Sequence, residues 1–480
     1  MEHFIDGQWE FPSSGQYLQV TNPCTGEVID TIARGNEKDV QKALANSEKA
    51  FRGWYKQPTS VRAALQHKAA TLMREEVELL SHTLSRELGR PLSGCRQEII
   101  RSAELLDYYA EEGLRIKGEM PWNNEAAEKV FVTRHPVGVV VVITPFNYPV
   151  NLLVFKLGAA LMAGCTVVAK PSEDTPLSTL MMADIFRKAG YPNGVFNVIT
   201  GLGSEIGDLL VENPITRKVA FTGGTSTGQH IGALAALSTK RVTLELGGHS
   251  PAIVCADAEV DKAAEAIVRH GFANSGQFCY RVNRVYAHRA IYVDLVEKMG
   301  ALAQKLQVGT AMDERIDLGP LVNEKIFDNS VRQVEDARRQ GARVVCGGKR
   351  LIGGIFDQGY YFPPTIIAEA THDMKIMKEE TFGPVIGIMP FDNNEEAVHY
   401  ANDSIYGLAA YVFSRDISSC LSMADALEAG SVWINNIQRS YHYVPFGGFK
   451  QSGIGREKSR YGIESYTELK SVYLSYTPLS

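Results

Sequence analysis

Three side chains occupy settings in which their chemistry could be put to use. Cys279 closes the run Phe272-Ala-Asn-Ser-Gly-Gln-Phe-Cys279, where glycine and glutamine suggest a turn that lifts the sulfur out of a helix end into a cleft. A free thiol is mostly protonated at neutral pH, so a nucleophilic role demands activation. The alternative is a small buried packing residue, as Cys165 and Cys255 look to be in their apolar runs. Glu245, in Thr243-Leu-Glu-Leu-Gly-Gly248, ends a leucine-flanked strand. Burial there would raise its pKa towards the range of a general base, although the residues by themselves favour a strand-end salt bridge. Asn147 lies between two prolines just past a β-branched run. Its amide could donate to an oxyanion, or simply make a turn.

Glycine turns add a second kind of chemistry. Gly201-Leu-Gly203-Ser-Glu-Ile-Gly207 follows a strand and opens a helix, as a dinucleotide fingerprint does, but its third glycine comes one residue late. Phe221-Thr-Gly-Gly-Thr-Ser-Thr-Gly228 is also a strand-to-helix turn, whose small residues would present backbone N–H groups to a pyrophosphate. The second loop is the better candidate, with a plain tight turn as the alternative for each. Lys170 and Glu173, in Lys-Pro-Ser-Glu, could bond ribose hydroxyls or stand as solvated charges.

Positioning such groups requires strands whose ends converge. Val137–Thr144 is a near-continuous β-branched run, the pattern of a strand buried on both faces. Strands at Thr166–Ala169, Val195–Ile199, Lys218–Phe221 and Arg241–Leu246 alternate with helices through Leu152–Leu161, from Pro176, over Ser204–Val211 and over Gly228–Leu237. That alternation predicts a doubly wound parallel sheet. Before it, apolar spacing predicts one helix through Val40 and Phe51 and a second from Leu65 through Leu80, stopped by Gly89 and Pro91. A third helix is expected over Leu92–Glu112 and a strand at Val130–Thr133. After it come a strand at Pro251–Val254, a helix with Ala263, Ile267 and Val268, and a helix carrying Tyr292 to Leu306. An exposed strand is expected in the tail from Ser465.

The chain of 480 residues can hold two or three domains, and its 45% hydrophobic and 22% charged residues are ordinary for a globular protein. A net charge of −6 gives no field for gripping nucleic acid. The most apolar stretch, Leu152–Ala169, is interrupted by Lys156 and two glycines, so no membrane span is expected. The amino terminus lacks a basic flank and apolar run, and the seven cysteines show no metal-ligand spacing. The expected setting is a reducing cytoplasm, with no metal.

Taken together and in order, PFNYP around Asn147, KPSE at Lys170, FTGGTSTG, LELGG at Glu245, GQFC at Cys279, EETFGPV from Glu379 and PFGGFKQSGIGRE from Pro445 resemble the aldehyde dehydrogenase superfamily over the whole chain. The resemblance implies an α/β fold: a doubly wound parallel-sheet cofactor domain (1–116 and 136–246), a second α/β catalytic domain (247–445), and a small β oligomerisation arm (117–135 and 462–480). It makes Cys279 the nucleophile, Asn147 with the Cys279 N–H the oxyanion hole, and Glu245 the base that activates water on a thioester. It assigns Lys170 and Glu173 to the adenine ribose, the Gly223–Gly228 turn to the pyrophosphate, and Glu380 with Phe382 to the nicotinamide ribose. Thr144, Pro145, Phe146, Ser172, Gly203, Gly207, Phe221, Thr222, Gly224, Thr227 and Leu246 complete the implied cofactor set. NAD is the expected cofactor, with NADP accepted, and a homodimer or homotetramer the expected assembly. A CoA-acylating relative has no need of Glu245, so its presence favours hydrolysis.

The chain departs from the family pattern at Phe146 (usually tryptophan), Gly224 (commonly serine) and the bulky Tyr280. Parts resemble succinate-semialdehyde dehydrogenases, but Phe155 and Ala273 stand where those enzymes carry carboxylate-binding arginines. Phe155, Phe278 and Phe446 are expected to line an apolar, partly aromatic tunnel, which favours an apolar or aromatic aldehyde. Arg439 or His442 could instead supply a charge for a semialdehyde.

Overall fold

The computed structural model describes residues 1–122, 125, 127–437 and 440–478. At its centre runs the strand Val139–Ile143, four valines and an isoleucine with the valines fully shielded from solvent. Parallel neighbours flank it on both edges, Val141 lying opposite Val168 on one side and Val219 on the other. The five expected strands are Val139–Ile143, Thr166–Lys170, Phe196–Val198, Thr216–Thr222 and Arg241–Glu245. Numbered one to five along the chain, they stand in the order three, two, one, four, five. The winding reverses between the first and fourth strands, beyond whose carboxyl ends ligands bind in sheets of this kind.

Three short antiparallel strands extend this sheet. His3–Ile5 pairs with Phe196–Val198 and carries Gln8–Glu10 outside it, while Gly453–Ile454 pairs with Arg241–Glu245 at the other edge. A second sheet, of seven strands, runs in the order Arg343–Cys346, Thr365–Ala368, Val385–Phe391, Val282–His288, Ser250–Val254, Ala409–Phe413, Ser431–Ile434. Its pairs are parallel except the edge strand Arg343–Cys346. Glu128–Pro136 and Thr467–Ser475 form a separate antiparallel ribbon, nine residues to nine. None of the described helices is long and apolar enough to cross a membrane.

Several local expectations need correction. The helix expected from Leu65 onward is two, Thr59–Glu75 and Val77–Leu88, because Glu76 leaves helical geometry (φ −96°, ψ 15°). The apolar spacing continues across that break, so periodicity alone joined them. The helix of Tyr292 stops at Ala303, short of Leu306. The helix after the FTGG turn starts at Thr225 rather than Gly228, so the turn proper is only Gly223-Gly224 and Thr225–Gly228 form the first helical turn.

Candidate functional site

The helix Val260–Phe272 ends in a short 3-10 turn, Ala273–Gly276, where Asn274, Ser275 and Gly276 all take positive φ (50°, 55° and 74°). Three left-handed residues in succession are strained, least for glycine and asparagine. Hydrogen bonds hold them there. The Asn274 amide donates to the carbonyls of Asn147 (3.2 Å) and Gln277 (3.1 Å), Ser275 Oγ donates to Gly319 O (2.8 Å), and Gln277 Oε1 accepts from Val322 N (3.0 Å). At Gly276 any Cβ would lie 2.3 Å from Gly383 O, so only glycine fits. The chain thus turns out of the helix, and Cys279 is partly exposed while the other six cysteines are buried.

Asn147 belongs to the turn between Val139–Ile143 and the helix Pro149–Ala163. Glu98 fixes that turn by accepting from Val150 N and Asn151 N (3.1 Å each), a carboxylate on a helix amino terminus, and Arg90 pairs with it at 2.8 Å. Asn147 Nδ2 donates to Gln277 O at 3.0 Å, tying the two turns together. An amide carries two N–H donors, so one remains for a ligand beside the sulfur.

Glu245 ends its strand 3% exposed, and neither carboxylate oxygen has a hydrogen-bond partner. Burial raises its pKa well above the ordinary carboxylate range, Glu457 adds to the rise, and Lys156 and Arg456 oppose it. The Cys279 thiol is likewise pushed well up, by burial first and then by the Glu245 and Glu380 carboxylates. A protonated thiol beside a carboxyl group of raised proton affinity suits proton transfer between them or through water. Lys156 and Glu457, buried and 2.6 Å apart, stand next to this pair, and the Lys156 ammonium also donates to Thr222 Oγ1. The sequence reading took Lys156 only as an interruption. A lone lysine in an otherwise apolar helix was the available signal, since a buried ammonium needs a partner.

The expected cofactor residues lie along the carboxyl ends of the first sheet. Thr144 Oγ1 is buried without a partner, and Lys170, 3% exposed, pairs with Glu173 at 3.4 Å. The helices Gly203–Glu212 and Thr225–Leu237 both begin without a side-chain cap, and a Cβ on Gly203, Gly207 or Gly224 would meet nothing within 4 Å. Free N–H groups facing open space fit a bound pyrophosphate. Gly223 lies against the Phe221 ring and Gly228 against Leu246, where a Cβ would come within 2.4 Å and 2.2 Å, so Phe221 and Leu246 act as floor beneath the turn. Thr227 is exposed, whereas Thr222 faces Lys156. From the loop before the strand Val385–Phe391, Glu380 accepts from Gly248 N (2.9 Å), and burial pushes its carboxyl up to about 7. Phe382, at φ 55°, meets Phe146 edge to face at 5.7 Å; Pro145, next to Phe146 in the chain, and Ser172, next to Glu173, are half-buried.

A cavity of about 110 Å³ is lined by Cys279, Asn147 and all three expected phenylalanines, Phe155, Phe278 and Phe446. Tyr280 also lines it, stacked 6.0 Å from Trp433 within a cluster that includes His270. Against the expectation of an apolar tunnel, Arg90, Arg101 and Lys458 share the lining. Arg439 lies outside the described residues, and His442 faces Glu104 at 3.6 Å.

Comparison with known proteins matches residues 9–472 to the model described as "Aldehyde dehydrogenase family". The chain is 38% identical over 466 residues to the NADP+-dependent succinate-semialdehyde dehydrogenase of Escherichia coli, covering 97% of this chain and 96% of that one. It is 39% identical over 475 residues to the 3-sulfolactaldehyde dehydrogenase of Pseudomonas putida, covering 98% and 96%. Among solved structures, betaine aldehyde dehydrogenase of Staphylococcus aureus in complex with NAD+ superposes with a TM-score of 0.97 at 32% identity, covering 100% of this chain and 95% of that one.

Proposed function

The chain belongs to the aldehyde dehydrogenase family, an oxidoreductase acting on aldehydes with NAD(P), and from that premise we propose that it makes the free carboxylic acid by covalent catalysis on Cys279. The carrying observation is the convergence of Cys279, Asn147 and the unpaired carboxylate of Glu245 at one cavity and its edge. Once deprotonated, the Cys279 sulfur adds to the aldehyde carbon, forming a C–S bond and a thiohemiacetal oxyanion. The spare Asn147 N–H and the Cys279 backbone N–H stabilise that oxygen. NAD(P)+, when bound, would be held by Lys170 and Glu173, the uncapped helix starts and Glu380, and would supply the acceptor for the hydride lost from the former aldehyde carbon. Oxidation leaves a thioester on Cys279. Glu245 takes a proton from water, which attacks the thioester carbon; the C–S bond breaks and the acid leaves.

The test is a panel of aldehydes with NAD+ and with NADP+, each with and without CoA, following reduced cofactor by absorbance. Steady turnover without CoA is expected; turnover only with CoA would replace hydrolysis by acyl transfer. Phe155, Phe278 and Phe446 give the substrate's carbon chain an apolar wall, while relatives named for succinate semialdehyde and 3-sulfolactaldehyde support the semialdehyde alternative. We assign the first sheet's segments, 1–116 and 136–246, to cofactor binding and 247–445 to catalysis. The ribbon of 117–135 and 462–480 is assigned to contact between copies, supported by its exposed Leu469, Val472 and Tyr473.

Cofactor preference gives a first prediction. As an acceptor for the ribose hydroxyls, Glu173 would repel the roughly two negative charges of the NADP 2′-phosphate, but Lys170 at 3.4 Å offsets part of its charge. NAD+ is therefore expected to be preferred by about 10-fold in kcat/KM, the lower end of what a few kcal/mol at an effective dielectric near 20 allows. Glu173→Gln is expected to narrow the gap chiefly by lowering KM for NADP+. A wild type that prefers NADP+ would show that Glu173 does not face the ribose.

A further inference from the structure

The cavity next to Cys279 holds more positive charge than its surroundings balance. Lys458 is only 5% exposed, and its ammonium lies 4.6 Å from the centre of the Phe155 ring and 5.8 Å from that of Phe446. It donates to Ser440 Oγ at 2.6 Å, and Arg101 Nη2 donates to Ser440 O at 3.4 Å, so two cations converge on one loop residue. Among the described residues, no carboxylate lies within ion-pair distance of either. The nearby acids are engaged elsewhere: Glu98 with Arg90, Glu457 with Lys156, and Glu104 opposite His442. Lys458 also sits at φ 59° and is followed by Ser459 at φ 50°, two strained non-glycine residues in succession beside the cavity. Backbone strain and an uncompensated buried cation are both costly, and together they mark a site shaped for a ligand.

We propose that Arg101, Ser440 and Lys458 bind an anionic group, a carboxylate or sulfonate, at the end of the aldehyde substrate remote from the carbon attacked by Cys279. The assignment rests on the covalent reading of Cys279 for the position of the aldehyde end. Both cations, the serine hydroxyl and the sulfur line the same small cavity, so one short molecule can reach both ends. The phenylalanines then enclose the intervening carbons, and the low polarity around them strengthens the ionic contact. Arg101 offers a planar donor fork and Lys458 a point charge, a pair suited to oxyanions of differing geometry.

Burial pushes the Lys458 ammonium down to about 7 and the neighbouring Arg101 pushes it the same way; Glu457 and Cys279 oppose, and His442 faces it from the loop. Lysine is charged below its pKa, so affinity for the anion should fall as pH rises past neutrality, by more than for an uncharged aldehyde of the same length.

The test compares kcat/KM for 4-oxobutanoate and for 3-oxopropanesulfonate with that for butanal. Both anionic aldehydes are expected to exceed butanal at least 10-fold in the wild type, and the better of the two identifies the anion. Lys458→Met and Arg101→Met are each expected to lower the ratio of anionic to uncharged kcat/KM by about 10- to 100-fold, through KM, while Lys458→Arg keeps most of it. Should either methionine variant fail to fold, the other and Lys458→Arg still report. A wild type that oxidises butanal as well as the anions, or a ratio that survives both methionine substitutions, would overturn the proposal and leave the covalent reading standing. A wild type that oxidises none of the three but turns over other aldehydes would likewise overturn the proposal alone.

Discussion

Replacing Cys279 by alanine is expected to lower turnover by roughly 10⁴- to 10⁶-fold, the range seen when the nucleophile of a covalent mechanism is removed. The turn that carries Cys279 is held by Asn274, Ser275 and Gln277 rather than by the thiol, so the fold and cofactor binding should persist. Alanine at Cys165 (0% exposed) or Cys255 (4% exposed) should do the reverse, costing about 1 kcal/mol of stability through lost packing while sparing turnover. Steady-state rates, thermal melts and NAD+ titration of the three variants separate these outcomes. Substantial turnover in Cys279→Ala would sink the covalent mechanism.

Glu245→Gln carries the second large effect. Deacylation needs a base, and a glutamine cannot accept the proton of water, so steady-state turnover is expected to fall by about 10²- to 10⁴-fold. Acylation depends on it less, and reduced cofactor should therefore appear in a burst of about one equivalent per active site, with an acyl adduct on Cys279 visible by mass spectrometry. The pH profile offers an independent check. A base works only when deprotonated, and the Glu245 carboxyl is raised by burial and Glu457. Wild-type turnover should thus fall as pH drops through a value above the usual carboxylate range, a limb that Glu245→Gln lacks. If neither burst nor adduct accumulates, Glu245 acts earlier, on the thiol, or serves only the structure.

The ends of the sequence-structure relation are visible in particular residues. Val139–Ile143 was legible because it is a contiguous apolar run, and the four strands parallel to it because short strand-like stretches alternate along the chain with helix-length ones. Asn147, Glu245 and the Gly223-Gly224 turn were legible because they sit at the ends of those strands, and ends that neighbour in a parallel sheet point the same way. Gly276 before Cys279 announced a turn that only glycine tolerates at that approach to Gly383. Other features depend on partners far away in sequence. Gly453–Ile454 is a strand solely because Leu244 and Glu245 offer it an edge, and two residues hold no period to detect. The helix break at Glu76 sits inside continuous helical spacing, and the early start at Thr225 inside a run of small polar residues, so packing rather than propensity set both. The charge of the cavity is the clearest case. Arg101, from the helix Leu92–Gly113, and Lys458, more than three hundred positions later, meet at Ser440. Lysine's local context says nothing of where a flexible four-carbon stem will carry its ammonium, because that is decided by which distant side chains exclude water from around it.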